Sequence, residues 1–467
     1  MPLKMEKIID DIKEAGQLFK PIPRVNGLPF IGQTMQIVKD PLRLLLHLKH
    51  NYNDMVTVRL GFKDFILLQS PSAARHVLQE NARNYFKPGA AKLMKKILGD
   101  GLATSNGDLW LRQRRLMQPA FHKQRLNDFF VIIQDETLQL SKKWKQNKEW
   151  HLIDISNDFL KLTLNNITKA MFGSDVETKM DEIGNVLRTM QEFSSQTTKS
   201  LVKIPTGIPT KKNNQFKNAE KRFEKIIYEI IEQRNKAKKN VAFQEKHDLL
   251  EMLISAYDDD TKTYMTSQQL RDEITTIFMA GHETTSQTLS WIFYQLALNP
   301  KIYEAVKTEA TANQHINSID TLQNLYYTRS LIEEAMRFYP PVWIIARKSA
   351  SDDIINGYKL PAGSTVLINV YGLHHDTHLW KKPGEFDPAH FSNQSKKLIP
   401  PFSYLPFGGG QRICIGNHFA MMVMQTVITM MVSNFEFKIP GGFVPEVDPN
   451  LTLRAKNGIQ LLIKPTN

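Results

Sequence analysis

The sequence predicts a mainly α-helical protein with small peripheral β-sheets, arranged as a single large domain over residues 1–467. Apolar residues recur at helical spacing through most of the stretch from Asp108 to Tyr339, which predicts a long helical body. β-prone runs are short, and most of them follow Pro340-Pro341. The sequence has no internal repeat, no low-complexity tract and no linker long enough to divide two domains.

The first residues predict a short amphipathic segment, residues 1–20. Its apolar side chains recur at spacings of three and four and share one helical face: Met5, Ile8, Ile12, Ala15 and Phe19. Charged residues interrupt the segment, and no run of about 18 apolar residues occurs in the sequence, so we expect neither a signal peptide nor a transmembrane anchor. We expect this helix to pack on its own protein; the alternative is a helix that rests on a membrane surface.

Two elements are predicted next along the chain. The residues from Met55 to Leu68 alternate on either side of Gly61, which predicts two strands joined by a hairpin turn. Ser70-Pro71 is typical of an N-cap followed by the first helical position, so a helix is predicted to begin there.

The last third of the chain predicts short strands. Two of them are predicted over Val342 to Ala346 and Thr365 to Val370. The runs Leu451 to Leu453 and Ile459 to Ile463 flank the dipeptide Asn457-Gly458, which is the strongest short hairpin signal. We therefore expect the chain to end in a β-hairpin.

The composition limits the functional classes. The chain has 60 Lys and Arg against 47 Asp and Glu, a net charge of +13 and a pI near 9.4, which favours acidic partners. Nucleic acid is not expected, because basic and acidic residues are interspersed and no nucleic-acid-binding motif is present. The single cysteine, Cys414, excludes an internal disulfide, a multi-thiolate iron–sulfur cluster and a covalently attached haem.

The stretch from Phe407 to Gly416 carries the strongest functional signal. It is not a phosphate or dinucleotide loop, because no Gly-Lys-Ser/Thr follows and Ile413 stands where the dinucleotide pattern needs glycine. A Cys414 thiolate bound to a metal beneath a flat cofactor fits better, since glycines permit close backbone approach and Arg412 offers a cation to a cofactor carboxylate. Residues 417–431 predict a buried helix whose N-terminus favours the thiolate. The alternative is a small buried apolar cysteine.

A second motif, Ala280-Gly281-His282-Glu283-Thr284-Thr285, lies inside a helical run from Leu270 to Leu298. Glycine and β-branched residues are poor helix formers, so this motif needs another explanation. The hydroxyl of Thr284 can bond the carbonyl four residues earlier and bend the helix, which makes room for a small ligand. Glu283 beside it predicts a proton route. We expect His282 to be structural or solvent-facing; the alternative for the threonines is ordinary helix packing.

These motifs resemble those of the cytochrome P-450 family of haem-thiolate monooxygenases, over essentially the whole chain. The family pattern Phe-x-x-Gly-x-Arg-x-Cys-x-Gly is matched at every fixed position: Phe407, Gly410, Arg412, Cys414 and Gly416. The resemblance implies haem b with Cys414 as its axial thiolate, and dioxygen as co-substrate. It also implies that oxygen binds beside Ala280 and Gly281, and that Glu283 and Thr284 carry protons while the O–O bond breaks.

Further matches imply contacts with the haem propionates. Trp110 and Arg114 match the family pattern Trp-x-x-x-Arg. Arg114, Arg412 and Arg347 are implied to pair with the propionates, and such charged hydrogen bonds contribute roughly 1.5 to 3 kcal/mol each. The alternative is that they are surface arginines.

Glu334 and Arg337 match the family's Glu-x-x-Arg pair, just before Pro340-Pro341. The family pattern joins this pair to a later arginine, and here His390 stands in its place. Histidine lacks the guanidinium fork and changes its charge with pH. We therefore expect a three-residue network that is weaker or pH-sensitive.

The resemblance implies a monooxygenase that inserts one oxygen atom from dioxygen into an apolar organic substrate of the fatty-acid or terpenoid type. Because the chain has no recognisable flavin or iron–sulfur motif, electrons are expected from a separate ferredoxin or flavodoxin-type donor with its reductase. We expect a cytoplasmic monomer. Two alternatives remain: a family member that uses or rearranges a peroxide, against which Glu283-Thr284 argues, and a non-catalytic haem-binding sensor or carrier.

The substrate pocket is expected to be mostly apolar. By analogy with the family, its walls would come from Phe86 to Leu98, Ile277 with Phe278, Val342 to Ile345, and Leu451 to Leu453. Lys63 in the early hairpin is expected to be solvated; the alternative is contact with a substrate carboxylate.

Overall fold

A computed structural model of the chain describes residues 19–52, 54–88, 92–121, 123–173, 179–199, 205, 207–238, 248–313 and 318–466. Residues 1–18, most of the predicted amphipathic segment, lie outside the described residues. The described chain is mainly helical with separate small sheets, as the sequence predicts.

The helices fall into three groups along the chain. Short helices come first: α1 (Thr34–Lys39), α2 (Pro41–Asn51), α3 (Pro71–Arg75) and α4 (Lys92–Leu98). The helical body follows: α5 (Gly107–Met117), α6 (Lys123–Trp144), α7 (Ile155–Phe172), α8 (Met180–Lys199), α9 (Lys211–Ala237), α10 (Leu249–Ser255), α11 (Ser267–Leu298), α12 (Pro300–Ala312) and α13 (Tyr326–Phe338). The last two are α14 (Val370–His374) and α15 (Asn417–Val432). None of the helices within the described ranges is long and apolar enough to cross a bilayer.

Local capping explains where several helices begin. Ser70 accepts a hydrogen bond from Ala73 N at the start of α3, so the predicted N-cap is confirmed. Helix α11 begins with a capping box, in which the Thr266 side chain accepts from Gln269 N and the Gln269 side chain accepts from Thr266 N. Pro300 starts the next helix and so marks the end of α11.

Helix α11 runs through the core and packs along α7, with further contacts to α13 and α15. Its side chains are buried over most of its 32 residues, including the fully buried Phe293. Helix α15 is also buried along most of its length and packs against α6. The second motif therefore lies on a core helix, and the loop that carries Cys414 leads directly into another.

The largest described sheet has five strands, in the order β1 (Met55–Leu60), β2 (Lys63–Leu68), β10 (Thr365–Ile368), β7 (Ile345–Ser349) and β3 (Tyr85–Phe86). β1 and β2 form the predicted antiparallel hairpin, with Leu60 opposite Lys63. β10 runs parallel to β2 and antiparallel to β7. Two small hairpins are separate from this sheet: β5 (Tyr257–Asp258) with β6 (Thr263–Tyr264), and β8 (Asp353–Ile355) with β9 (Tyr358–Leu360).

The prediction of a terminal hairpin was wrong. β14 (Gln460–Pro465) pairs with β11 (Phe435–Lys438) on one side and with β4 (His151–Asp154) on the other. β13 (Leu453–Ala455) pairs instead with β12 (Val447–Pro449). The Gly458 turn has the expected positive φ of 72°, yet tertiary contacts give each flanking strand a different partner.

The strand predicted over Val342 to Ala346 begins three residues later than expected, as β7 at Ile345. The preceding residues are held by a different contact, in which Trp343 Nε1 donates to Asn450 O at 2.9 Å. A hydrogen bond to a backbone carbonyl far along the sequence therefore holds this segment, which forms no strand there.

Candidate active site

The backbone holds the loop that carries Cys414 in a fixed shape. Cys414 N donates to Phe407 O at 3.0 Å, and the 3-10 turn Gly410–Arg412 lies between them. Gly410 has a φ of 66°, and its Cα lies so close to the carbonyl oxygen of Leu78 that a Cβ atom would overlap with it. Position 410 therefore requires glycine both for its backbone conformation and for space.

Cys414 is exposed, yet the surrounding protein desolvates its thiol. Both properties hold for a side chain that faces an interior cavity. Burial raises the pKa of the thiol, whereas the Gly416 amide and the charges of Arg114 and Lys87 oppose this rise. Helix α15 begins at Asn417, so the N-terminus of a helix also lies next to the thiol in sequence.

Four cationic side chains interact electrostatically with one another or with the thiol: Lys87, Arg114, Arg347 and Arg412. Burial lowers the pKa of all four, to about 7 for Lys87 and to about 10 for Arg347 and Arg412. Neighbouring arginines lower the pKa of Lys87 further. Arg347 is buried and the other three are half-buried. Desolvated cations without counter-charge are costly, so this cluster is suited to an anionic ligand.

The hydrogen-bond acceptors of these cations are neutral oxygens. Arg114 donates to Ile413 O at 2.8 Å, Arg347 to Ala346 O at 2.9 Å, and Lys87 Nζ to Ala103 O at 2.5 Å. Across the described residues, no ion pair joins any of the four to a carboxylate.

Arg412 is fixed by three contacts. It donates to Ser105 O and to Asn106 Oδ1, both at 3.0 Å. Its guanidinium also lies over the Trp110 ring, 4.3 Å from the ring centroid. The predicted residues Trp110 and Arg412 are therefore brought together, and Trp110 acts as a support for the cation.

This donor set fits a haem. A single thiolate is a sufficient protein ligand for haem iron, and the cation cluster matches the two propionates of the porphyrin. Among the residues that the structure describes, no cluster of three or more His, Cys, Asp or Glu side chains offers an alternative metal centre. Cys414 would hold the iron, and Lys87, Arg114, Arg347 and Arg412 would hold the carboxylates.

Helix α11 presents the second motif with the hydrogen bond that the sequence predicts. Thr284 Oγ1 donates to Ala280 O at 2.9 Å, and Thr285 Oγ1 donates to Gly281 O at 3.2 Å. Ala280 is exposed although its helix lies in the core, so this part of α11 borders open space instead of packed side chains. The helix remains continuous through the motif.

Glu283 contacts one side chain from the expected pocket wall Leu451 to Leu453 and one that sequence reasoning did not identify. Thr452 Oγ1 donates to Glu283 Oε1 at 2.8 Å, and Gln191 Nε2 lies 3.3 Å from Glu283 Oε2. His282 is buried, with Nδ1 2.5 Å from Phe278 O, and burial lowers the pKa of its ring. Of the two positions expected for His282, the structural one is therefore observed.

Glu334, Arg337 and His390 form one network. Arg337 donates to both carboxylate oxygens of Glu334, at 2.7 and 2.6 Å, and both side chains are fully buried. His390 Nδ1 lies 3.2 Å from each oxygen of Glu334, and its Nε2 lies 2.6 Å from Lys381 O. The hydrogen bond to Glu334 raises the pKa of His390.

The residues expected as pocket walls occupy different environments. Ile277 is buried on α11, whereas the fully buried Phe278 packs its ring against Phe172 and Phe223 and so belongs to the helical core. Lys63 is exposed at the start of β2, as expected. The structure thus removes Phe278 from the set of candidate substrate contacts.

Lys87 is the main site residue that sequence reasoning missed. It follows β3 directly, and no motif distinguishes it from the other lysines in the sequence. The only local signal is its position in Phe86 to Leu98, the segment expected by analogy to line the substrate pocket. Its proximity to Arg347 and Arg412 depends on elements more than 250 residues apart in sequence.

The chain is similar to known proteins over most of its length. Residues 22–463 match the sequence model of the family Cytochrome P-450. Cyclooctatin synthase of Streptomyces melanosporofaciens is 31% identical over 421 residues, covering 89% of this chain and 90% of the relative. Cyclooctat-9-en-7-ol 5-monooxygenase of the same organism is 29% identical, with 89% of each chain covered. Cytokinin hydroxylase of Arabidopsis thaliana is 30% identical over 79% of this chain and 73% of its own.

A solved structure shows the same fold. The crystal structure of the heme domain of cytochrome P-450DA superposes with a TM-score of 0.86 at 21% identity, covering 96% of this chain and 98% of the other. The family match spans almost the whole chain, and the named relatives include a monooxygenase and a hydroxylase. The chain therefore belongs to the cytochrome P-450 family and is a cytochrome P-450 monooxygenase.

Proposed function

We propose that the protein uses haem b, ligated by the Cys414 thiolate, to insert one oxygen atom from dioxygen into an apolar substrate of the terpenoid or fatty-acid type. The observation that carries this proposal is the lone thiol beside a cluster of four cations, of which Arg347 is buried and Lys87, Arg114 and Arg412 are half-buried. When bound, the haem supplies the redox and oxygen chemistry. The chain's own residues hold it, orient it and deliver protons.

The roles of the chain's residues follow from their positions. Thr284 and Glu283 are adjacent on α11, with Ala280 one turn earlier, so the hydroxyl and the carboxylate can pass protons toward the cavity. Thr452 and Gln191 fix the carboxylate of Glu283.

The terpenoid class is favoured by the relatives. Two of them are named for cyclooctatin and cyclooctat-9-en-7-ol, and each shares about nine-tenths of its length with this chain. A net charge of +13 favours an acidic electron donor, as a ferredoxin or flavodoxin-type protein would be. We place the protein in the cytoplasm as a monomer.

The first experiment is an absorption spectrum of the dithionite-reduced protein with and without carbon monoxide. The Soret band of the carbonyl complex reports on the ligand opposite carbon monoxide. We expect a strongly red-shifted band in the wild-type protein and its loss in Cys414→Ala. A band at the position typical of histidine-ligated haem, or no haem at all, would reject the assignment of Cys414.

A turnover assay then separates this function from the alternatives. With a terpene hydrocarbon, a ferredoxin and its reductase, we expect product only when both reductant and dioxygen are present. Product formed with peroxide alone would indicate a peroxide-using enzyme. Haem binding without turnover under any of these conditions would indicate a sensor or carrier.

A further inference from the structure

Two acidic residues on α11 accept hydrogen bonds from the loop between α4 and α5, residues 99–106. Asp272 Oδ2 accepts a hydrogen bond from Asp100 N at 2.9 Å, and Glu273 Oε2 accepts one from Leu102 N at 2.9 Å. Both carboxylates belong to residues that are nearly or fully buried. The α4–α5 loop is thus fixed to α11 through its backbone rather than through its side chains.

Glycines let the loop approach α11 this closely. A Cβ at Gly99 would overlap with the carboxylate of Asp272, and Gly99 has a φ of 61°. A Cβ at Gly101 would overlap with the hydroxyl of Thr276. Alanine at position 101 would therefore push the loop away from α11 without removing any polar group.

Hydrogen bonds cross-link the α4–α5 loop along its length. Thr104 Oγ1 donates to Gly99 O at 2.7 Å. Gln113, on α5, joins the two ends of the loop: its Nε2 donates to Asp100 O, and its Oε1 accepts from Ser105 Oγ, both at 2.6 Å. A displacement at the α11 end is therefore passed to the other end.

The far end of the loop carries the acceptors that orient two cations of the cofactor site. Ala103 O accepts from Lys87 Nζ. Ser105 O and Asn106 Oδ1 accept from Arg412. The same Asn106 Oδ1 accepts from the backbone N of Lys87 at 2.9 Å.

From these contacts we infer that Asp272 and Glu273 are positioning residues for the haem carboxylates: they act through the α4–α5 loop to hold Lys87 and Arg412 in place. This inference rests on the proposed function, because it assumes bound haem. It gives the N-terminal half of α11 a role in positioning the cofactor-binding cations, separate from the role of the Glu283-Thr284 motif.

The chemistry of Glu273 makes the inference testable by a conservative change. Burial, together with the nearby charge of Asp272, raises the pKa of Glu273 to about 8, so the group is a neutral acid at pH 7. Its Oε1 has no hydrogen-bond partner among the described residues. A glutamine at this position would keep a neutral group of the same shape and would still accept from Leu102 N, whereas a leucine would not.

The test measures how fast haem leaves the protein for an excess of a haem-binding acceptor protein, followed by absorbance. Glu273→Leu and Gly101→Ala are expected to accelerate haem loss about 10-fold, which corresponds to weakening one charged hydrogen bond to the propionates. Glu273→Gln is expected to stay within about 2-fold of wild type. Thr275→Val is the matched control: it removes a buried hydroxyl of α11 that bonds Arg271 O instead of the loop.

A double-mutant cycle excludes a general loss of stability as the cause. If Glu273 acts through Lys87 and Arg412, Glu273→Leu accelerates haem loss by a smaller factor in the Lys87→Leu background than in wild type, because only the Arg412 contacts remain to be displaced. The inference would be overturned if Glu273→Leu accelerated haem loss by the same factor with and without Lys87→Leu. Haem retention at the wild-type level in both Glu273→Leu and Gly101→Ala would also overturn it. Should Glu273→Leu fail to fold, Gly101→Ala carries the same test. Failure of the proposed function is recognised separately, from the carbonyl spectrum of the wild-type protein.

Discussion

The network of Glu334, Arg337 and His390 makes the stability of this protein depend on pH. His390 has one ring nitrogen at Glu334 and the other at Lys381 O. Only the imidazolium form can donate from both nitrogens, because the neutral ring carries a single N–H. The charged groups that act on the ring are Glu334, which raises its pKa, and Arg337, which opposes the rise.

The raised pKa of His390 determines whether the protein becomes more or less stable as the pH rises. A histidine whose native pKa lies above the unfolded value of 6.5 contributes its full stability below about pH 6.5 and loses it as the pH rises through the native pKa. Deprotonation removes one of two hydrogen bonds. With one partner charged and the ring largely buried, we expect a loss of about 1 to 2 kcal/mol. For a chain of this length, that corresponds to about 1–4 °C in melting temperature.

The assay is the melting temperature of the haem-loaded protein at pH 6 and pH 9, compared between wild type and His390→Arg. Arginine stays charged throughout this range, so its contribution does not change. We expect the melting temperature to fall less between pH 6 and pH 9 in His390→Arg than in wild type, by about 1–4 °C. His50→Gln, which changes an exposed histidine of α2, is the control and should match wild type. The same pH-dependent drop in His390→Arg and wild type would refute the reasoning.

Two further predictions concern the cofactor site and the proton route. Lys87→Met should weaken haem binding by about 10-fold or more, because it removes a half-buried cation that we propose to pair with a propionate. Lys87→Arg should restore part of the affinity, and haem titration of the apoprotein measures both effects. Thr284→Val should lower product per reductant consumed by on the order of 100-fold while Thr284→Ser, which keeps the hydroxyl, retains most of it. Unchanged coupling in Thr284→Val would remove Thr284 from the proton route.

Local sequence signals were sufficient for many elements. The cap at Ser70, the hairpin over Met55 to Leu68 and the buried helix after Cys414 depend on neighbouring residues, and the structure shows each of them. The back-bond from Thr284 to Ala280 is also local, since it joins residues one helical turn apart.

Other features depended on contacts between distant residues. β14 pairs with β4 across about 300 residues of sequence, because that pairing buries Leu461 and Ile463. The dipeptide Asn457-Gly458 specifies a turn, but a turn does not choose the partners of the strands that it joins. The predicted terminal hairpin failed for this reason.

The sequence by itself determined the helical class, the family resemblance and the residue types at the thiolate and the proton route. Only the tertiary structure decided which charges meet at the site. Lys87 belongs to the cation cluster because α11 holds the α4–α5 loop against it, and Glu283 is fixed by Thr452 from the far end of the chain. Such groupings depend on how separate elements pack, and a motif read along one segment does not contain that information.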